Sequence, residues 1–160
     1  MEQSLIDELI QSLKRIIDKK DLIRLPEAGF YEKLNLKSTD YSFIIDINRK
    51  GRKKPKFTLQ LRNNNSKDAP LIRLDLLGPP HSNPPGDFSF SGELIPCPHI
   101  HIANSEYGLK IAYPLNNKYA KMFLTENEQD DLVLVLKNFL SRCNVANVND
   151  FEYLYQTELI

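Results

Sequence analysis

The strongest constraint on the fold is a two-residue alternation of apolar and polar side chains in the middle of the chain. It runs through residues 41–48, 56–62 and 71–77, where aromatic or aliphatic residues occupy every second position. This period places the two sets of side chains on opposite faces of a β-strand. Gly51 and Pro55 lie in the basic turn between the first two segments, so those segments predict an antiparallel hairpin. The third segment predicts a further strand.

Two later segments add to the predicted sheet. Residues 98–103 and 107–113 alternate in the same way, and residues 34–36 predict a weak edge strand. We therefore expect an antiparallel β-sheet of about five strands.

Helical periodicity is found near both ends of the chain. Residues 4–20 carry aliphatic side chains at three- and four-residue spacing, with Ser4 as the expected N-cap. Residues 125–142 repeat the pattern, and Thr125 with Glu128 forms a capping box at its start. The whole chain, residues 1–160, is expected to form a single α+β domain. In it the sheet is packed on one face by an N-terminal and a C-terminal helix.

Composition excludes several classes of protein. The chain has no apolar stretch long enough for a membrane span and no signal-peptide pattern, so a cytoplasmic protein is expected. Its two cysteines are too few for a disulfide framework or a four-cysteine zinc site. We predict that Cys97, between two prolines, is a buried small hydrophobe. Nucleotide-binding, zincin and serine-hydrolase motifs are absent, and no cofactor is expected.

Charge is balanced overall, with 21 basic and 21 acidic residues, but residues 49–56 hold six bases in eight positions. Such a run creates a local positive potential. It is typical of a solvated hairpin tip, of a surface that contacts RNA or DNA phosphates, or of one that contacts an acidic protein. The candidate nucleic-acid or partner-binding residues are Arg49, Lys50, Arg52, Lys53, Lys54 and Lys56.

The three histidines of the chain lie within 21 residues, and six of the ten prolines lie between Pro79 and Pro98. Alternation places His99 and His101 on one side of their strand, and it places Arg73 and Asp75 on one side of theirs. If the apolar faces share one core, both pairs lie on the same polar face of the sheet. Lys110 is expected beside them.

These side chains are compatible with several kinds of chemistry. The candidate catalytic residues are His99, His101, His81, Arg73, Asp75 and Lys110. Histidines can act as general acid and base while Arg73 and Lys110 stabilise a pentacovalent phosphate, as in metal-independent ribonucleases. Alternatively, His99 and His101 with Asp75 hold a divalent metal. A purely structural ion pair with loop-pinning histidines, or a binding site without chemistry, stays open as well.

The same region carries a resemblance to a known group of proteins. Its components are RLDL at residues 73–76, GPPH at 78–81, IPCPHIH at 95–101, YG at 107–108 and AYP at 112–114. Together they resemble a family of small uncharacterised proteins from bacteria and their phages or mobile elements. The resemblance implies a mobile-element accessory role, such as a toxin-like enzyme or a factor acting against host defences.

Two functions from different classes follow. The first is a metal-independent ribonuclease or phosphodiesterase that uses histidine acid–base chemistry, with RNA or DNA as its partner. The second is a non-catalytic binding protein or phage-type inhibitor of host defence, for example of a CRISPR nuclease, that acts through a charged surface on a nucleic-acid-binding protein. Residues 144–160 are too apolar for a disordered tail, so we expect them to pack on the body or on a partner.

Overall fold

The computed structural model describes residues 1–51, 56–65 and 69–155. Three helices and eleven strands follow one another along the described chain. They are α1 (Gln3–Gln11), β1 (Arg15–Ile16), β2 (Leu22–Leu25), β3 (Tyr31–Lys37), β4 (Ser42–Asn48), β5 (Phe57–Asn63), β6 (Pro70–Leu77), β7 (His81–Ser82), β8 (Leu94–Ile95), β9 (His99–Ile102), β10 (Ala112–Pro114), α2 (Glu126–Gln129), α3 (Leu132–Arg142) and β11 (Glu152–Tyr155).

The main sheet has the strand order β1-β3-β4-β5-β6-β9-β10 within the described residues, and every neighbouring pair in it is antiparallel. The mixed α and β architecture with an antiparallel sheet is thus confirmed. The expectation of about five strands was too low, because the chain from 31 to 37 forms a full strand and residues 15–16 add a short edge. Conversely, the strand expected at residues 107–113 is limited to Ala112–Pro114.

One face of the sheet is apolar and forms the core with α1 and α3. Alternate residues of the central strands are less than a tenth exposed and belong to the same cluster as Leu9 of α1 and Val135, Leu136, Phe139 and Leu140 of α3. Burial of one such side chain contributes about 1.5–3 kcal/mol, so this layer accounts for much of the stability. The other face of β6 and β9 carries the polar side chains of the candidate site.

The N-terminal helix is shorter than the predicted segment 4–20. It ends at Gln11, and its N-cap is Glu2 rather than Ser4. The reason is tertiary: residues 15 and 16 leave the helix to pair with β3, and Lys14 turns into the core. The Lys14 ammonium donates to the carbonyl oxygens of Ile10, Ser12 and Cys143, each at 2.9 Å, so it links the C-terminal ends of α1 and α3.

The predicted helix at residues 125–142 is divided in two. The capping box of Thr125 and Glu128 is confirmed at the start of α2. Asp131 then acts as a second N-cap, because its carboxylate accepts a hydrogen bond from the Leu134 amide, and α3 starts there. Within the described chain, α3 is the longest helix at 11 residues, and none of the three has the length and apolar content needed to cross a bilayer.

The C-terminal segment packs on the body of its own chain as far as the structure describes it. β11 pairs in parallel with β2, and Phe151 and Tyr153 pack against the core. The Tyr153 hydroxyl donates to the Val148 carbonyl at 2.6 Å. Residues 156–160, the last part of the predicted tail, lie outside the described residues.

Candidate functional site

Strands β6 and β9 bring four polar side chains to one face of the sheet. Arg73 is paired in register with His101, and Asp75 with His99. Because side chains repeat every two residues along a strand, all four project away from the apolar core, as the alternation predicts. The apolar residues between them, such as Leu74 and Ile100, are fully buried on the opposite face.

The carboxylate of Asp75 is the common partner of this group. Arg73 donates to it with two nitrogens, Nε to Oδ1 at 2.9 Å and Nη2 to Oδ2 at 3.0 Å. The Nε2 atoms of His99 and His101 lie 3.1 and 3.3 Å from the same Oδ2. Burial raises the pKa of Asp75, but contacts with His101, His99 and Arg73 outweigh burial and hold its pKa well below its usual range.

Backbone carbonyls fix the orientation of both imidazoles. His99 Nδ1 donates to the carbonyl oxygens of Ile95 and Pro96, at 3.1 and 3.2 Å, and His101 Nδ1 donates to that of Leu109 at 2.7 Å. A carbonyl oxygen only accepts hydrogen bonds, so each Nδ1 carries a proton. The nitrogen that each ring turns toward Asp75 is therefore Nε2, which in a neutral ring has a lone pair.

The pKa values of the two imidazoles shift in opposite directions, although each ring is only 1% exposed. Burial lowers the pKa of His99, but contacts with Asp75 and Cys97 outweigh burial and raise its pKa to about 9. For His101 burial dominates and lowers the pKa. His101 Nε2 is close to Asp75 but poorly aligned, and it is the buried side-chain polar atom of the described chain without a hydrogen-bond partner.

His81 joins the cluster from the proline-rich loop. It lies on β7, which pairs with β8, and its Nε2 donates to the Lys110 carbonyl at 2.7 Å. Its ring centre is 4.7 Å from that of His101 and 6.2 Å from that of His99. The structure thus gathers all three histidines of the chain at one place, with His81 the most accessible of them.

Lys110 contacts this cluster through its backbone carbonyl, which accepts the hydrogen bond from His81. Residues 107–111 form turns instead of the predicted strand, so the alternation that would direct the Lys110 side chain onto the polar face does not apply. That side chain is exposed. The placement of the Lys110 ammonium beside Arg73 and Asp75 stays a prediction.

A cleft of about 450 Å³ opens beside the cluster. Its lining includes Arg73, Asp75, His81 and His99 of the cluster, together with Lys56, Tyr31 and Asp46. His101 does not line the cleft. Among the described residues, the cleft therefore exposes to a ligand two cations, two carboxylates (Asp75 and Asp46) and two of the three imidazoles.

Among the described residues of the predicted basic surface, only some lie at this cleft. Lys56 lines it, and the Lys50 ammonium lies 5.3 Å from the ring centre of Tyr31. Arg49 instead donates to the Pro26 carbonyl at 2.9 Å and stacks on Tyr155 at 5.5 Å. The remaining candidates, Arg52, Lys53 and Lys54, lie outside the described residues.

A second polar pair, whose carboxylate lines the cleft, was not predicted from the sequence. Asp46 accepts from the Tyr31 hydroxyl at 2.7 Å and from Arg62 Nε at 2.8 Å. Asp46 and Arg62 occupy polar positions of the alternation on β4 and β5, so this signal was available. Cys97 is half-buried, with its sulfur 3.8 Å from His99 Nδ1, and the prediction that it is a buried hydrophobe was wrong.

Asn83 holds the proline-rich loop in place and was also missed. Its amide group donates to the carbonyls of Phe90 and Ala112, and its oxygen accepts from the Ala112 amide. The residue is 3% exposed. Because Ala112 belongs to β10, this side chain ties the loop that carries His81 to the edge of the main sheet.

The arrangement supports three kinds of chemistry. Two imidazoles at the cleft can take and give protons, and two cations can bind an anion such as a phosphate. In addition, ligand atoms of Asp75, His99 and His101 lie within 4.8 Å of one another, which is compatible with a metal ion.

Comparison with known proteins assigns the chain a family without assigning it an activity. A model of a family of unknown function (DUF6978) matches residues 1–145. The matched range contains Asp75 and all three histidines of the cluster. No curated protein and no solved structure matches the chain significantly.

Proposed function

The chain belongs to the DUF6978 family, a family of unknown function, and we propose that it binds a nucleic-acid phosphodiester in the cleft and cleaves it by histidine acid–base chemistry. The observation that supports this most is the placement of two imidazoles and two cations around one cleft, with His81 and His99 6.2 Å apart between ring centres. An acid and a base at such a separation can act on the two oxygens of a single phosphorus.

Arg73 and Lys56 would hold the phosphate. Two nitrogens of Arg73 are engaged by Asp75, so the guanidinium is fixed in position while its side chain remains one-third exposed. Of its nitrogens, Nη1 is the one without an assigned contact in the described structure. A preorganised cation stabilises the charge of a pentacovalent phosphate without reorganising during the reaction.

His81 and His99 would transfer the protons. His81 takes the proton of the RNA 2′-hydroxyl, and the 2′-oxygen attacks phosphorus. The bond from phosphorus to the 5′-oxygen breaks, and His99 gives its proton to that oxygen. The products are a 2′,3′-cyclic phosphate and a 5′-hydroxyl. The raised pKa of His99, about 9, keeps this imidazole protonated at neutral pH. Asp75 and His101 act as positioning residues.

The basic run at residues 49–56 would extend the binding surface along the nucleic-acid backbone. Of the described members of this run, Lys56 lines the cleft. Contacts between lysine or arginine and phosphates release counterions, so binding through this run is expected to weaken steeply with salt.

Cleavage is tested with end-labelled RNA and the matching DNA in the presence of EDTA. We expect the RNA alone to be cleaved, with 2′,3′-cyclic phosphate ends. His81→Gln and His99→Gln should each lower the rate by at least about 100-fold. Lys137→Gln, a change on α3 outside the cleft lining, is the matched control and should cleave normally. Rates that stay unchanged in both histidine variants would exclude this mechanism.

A second function, binding without cleavage, is favoured by one observation: His99 and His101 are each only 1% exposed. In that case the chain binds RNA, DNA or a nucleic-acid-binding protein through its charged surface, as a phage-type inhibitor would. Binding that is lost in the Arg52→Glu, Lys53→Glu, Lys54→Glu variant, with no cleavage of any nucleic acid, would identify this function. If neither binding nor cleavage is observed, both proposals are overturned.

We also propose a cytoplasmic location and an accessory role in a phage or mobile element. The resemblance carried by residues 73–114 supports the accessory role, and the low cysteine content supports a reducing compartment. Prophage or element induction, followed by quantification of the protein in cytoplasmic and membrane fractions, tests both points. Expression that is independent of induction, or recovery in the membrane fraction, would contradict them.

A further inference from the structure

We infer that Asp75, His99 and His101 form a binding site for a divalent first-row transition metal, with Zn²⁺ as its natural probe. The ligand atoms are Asp75 Oδ2 and the Nε2 atoms of the two imidazoles. This inference does not depend on the proposed phosphodiester cleavage.

The distances suit a metal ion. Zn²⁺ bonds to imidazole nitrogen and carboxylate oxygen at about 2.0–2.2 Å, and a tetrahedron of that size separates its ligands by about 3.3 Å. The two separations between Nε2 and Oδ2, 3.1 and 3.3 Å, match this value. All three ligand atoms lie within 4.8 Å of one another, so a cation beside the Asp75 oxygen is within reach of both imidazoles.

The imidazoles are oriented as metal ligands are. In metal sites the ring nitrogen opposite the metal donates its proton to a carbonyl or carboxylate, which fixes the ring and increases its basicity. Here both Nδ1 atoms donate to backbone carbonyls, His99 to that of Ile95 and His101 to that of Leu109. Arg73 plays the corresponding role for the carboxylate, since its two hydrogen bonds hold Asp75 in place.

The unpartnered nitrogen of His101 is the independent sign of a missing ligand. His101 is 99% buried, and its Nε2 makes no hydrogen bond although it points at Asp75. With a proton on Nδ1, the lone pair of Nε2 faces a carboxylate oxygen that also has lone pairs, an arrangement that disfavours the neutral ring. A bound cation between the two atoms converts this repulsion into two bonds.

The donor set selects the class of metal. Two nitrogen ligands favour Zn²⁺ and its first-row neighbours over Mg²⁺ and Ca²⁺, which prefer oxygen. Asp75 and His99 line the cleft, so a metal has a path from solvent, and water can complete its coordination. A metal at this place would occupy the His99 nitrogen that carries the proton in the proposed reaction.

Metal binding is tested directly, without RNA, on the full chain after treatment with EDTA and desalting. Isothermal titration with Zn²⁺ and elemental analysis are expected to give one ion per chain. His99→Gln and His101→Gln should each weaken binding by at least about 100-fold. Two matched controls are His81→Gln, which removes the neighbouring histidine, and Cys97→Ser, which removes the thiol 3.8 Å from His99. Both should bind as the unaltered chain does.

Two results would overturn the inference: no uptake of Zn²⁺ by the folded chain, or undiminished uptake by both His99→Gln and His101→Gln. Should those variants fail to fold, the unaltered chain is titrated with Co²⁺ instead. Visible d–d bands of a nitrogen- and oxygen-ligated ion, which disappear on addition of Zn²⁺, support the site. The site is refuted if no such bands appear. It is also refuted if Co²⁺ gives thiolate charge-transfer bands that the Cys97→Ser variant lacks. Because no nucleic acid is present, these outcomes are separate from success or failure of the cleavage assay.

Discussion

His101 directs a buried ring nitrogen to Asp75 at 3.3 Å without completing a hydrogen bond to it. His99, two residues earlier, approaches the same carboxylate oxygen at 3.1 Å and does form a hydrogen bond. Asp75 thus links two imidazoles whose pKa values shift in opposite directions. Both the proposed acid–base chemistry and the inferred metal site depend on this shared oxygen.

Replacement of Asp75 by Asn should destabilise the fold through the loss of a shared charge. Arg73 and the imidazolium of His99 would then lie beside a neutral amide, so we expect the free energy of unfolding to fall by about 2–3 kcal/mol. Urea unfolding, followed by circular dichroism, measures this loss.

Asp46→Asn is the matched control. Asp46 is similarly buried on β4, which β5 separates from β6, with its side chain 14% exposed against 18% for Asp75, and it pairs with Arg62. It contacts Tyr31 rather than an imidazole. We expect a smaller loss of stability from this change and none of metal binding. A loss at Asp75 no greater than that at Asp46 would contradict a central role of the Asp75 carboxylate.

Stability of the metal-free chain should fall as pH rises from about 6.5 to 8. The folded-state pKa of His99, about 9, lies above the ordinary value of 6.5, so the unfolded chain releases its proton first. The stabilisation is complete below pH 6.5 and is lost as pH rises through 9, with a slope of at most about 1.4 kcal/mol per pH unit.

Other titratable groups change the free energy of unfolding on either side of this pH window. His101, whose pKa is lowered, affects stability below pH 6.5. Lys14, whose pKa is lowered to about 8, makes stability increase with pH between 8 and 10.5. Asp75 contributes stability above its ordinary pKa of 3.8, and this is lost as pH falls. For the His99→Gln variant in EDTA, the free energy of unfolding should not decrease between pH 6.5 and 8. A decrease that persists in this variant would assign it to another group.

The sheet was largely predictable from the sequence, whereas the ends of several elements were not. Alternation was sufficient to place Arg73, Asp75, His99 and His101 on one face, because a buried sheet face imposes a strict two-residue period. The end of α1 could not be predicted in this way: the aliphatic spacing continues through Ile16 and Ile17, but pairing with β3 outweighs helix propensity. The parallel pairing of β2 with β11 could not be predicted either, because it joins segments about 130 residues apart.

The orientation of the imidazoles was also beyond sequence analysis. It depends on backbone carbonyls of Ile95 and Leu109, and every residue has a carbonyl whatever its side chain. The path of the loop decides which carbonyls are in reach. For the same reason the turns within residues 107–111, which replace the predicted strand there, are not evident from an alternating pattern.

Lys14→Met should be among the most destabilising single changes in the chain. The ammonium is fully buried and donates to three carbonyl oxygens, which would all lose a donor. We expect a loss of about 3 kcal/mol, measured by urea unfolding. Arg15→Met, at the next residue, where the side chain is 62% exposed, should change stability by less than about 0.5 kcal/mol. Equal effects of the two substitutions would contradict a linking role of Lys14.

Metal removal should leave RNA cleavage intact, and metal addition should suppress it. The proposed reaction uses the proton on His99 Nε2, and the inferred metal binds the same atom. Cleavage is therefore expected to proceed in EDTA and to decrease as Zn²⁺ is added, while Mg²⁺ at equal ionic strength has little effect. Activity that requires Zn²⁺ would contradict proton transfer by His99 and would indicate a metal-assisted reaction.

The arrangement around Asp75 is tested most directly by long-range ¹H–¹⁵N NMR of the imidazoles in the metal-free chain near neutral pH. The predicted result is a proton on Nδ1 of both His99 and His101, a second proton on Nε2 of His99 alone, and chemical-shift changes at both Nε2 atoms on addition of Zn²⁺. A His101 ring protonated on Nε2 and not on Nδ1, with neither ring affected by Zn²⁺, would contradict the account.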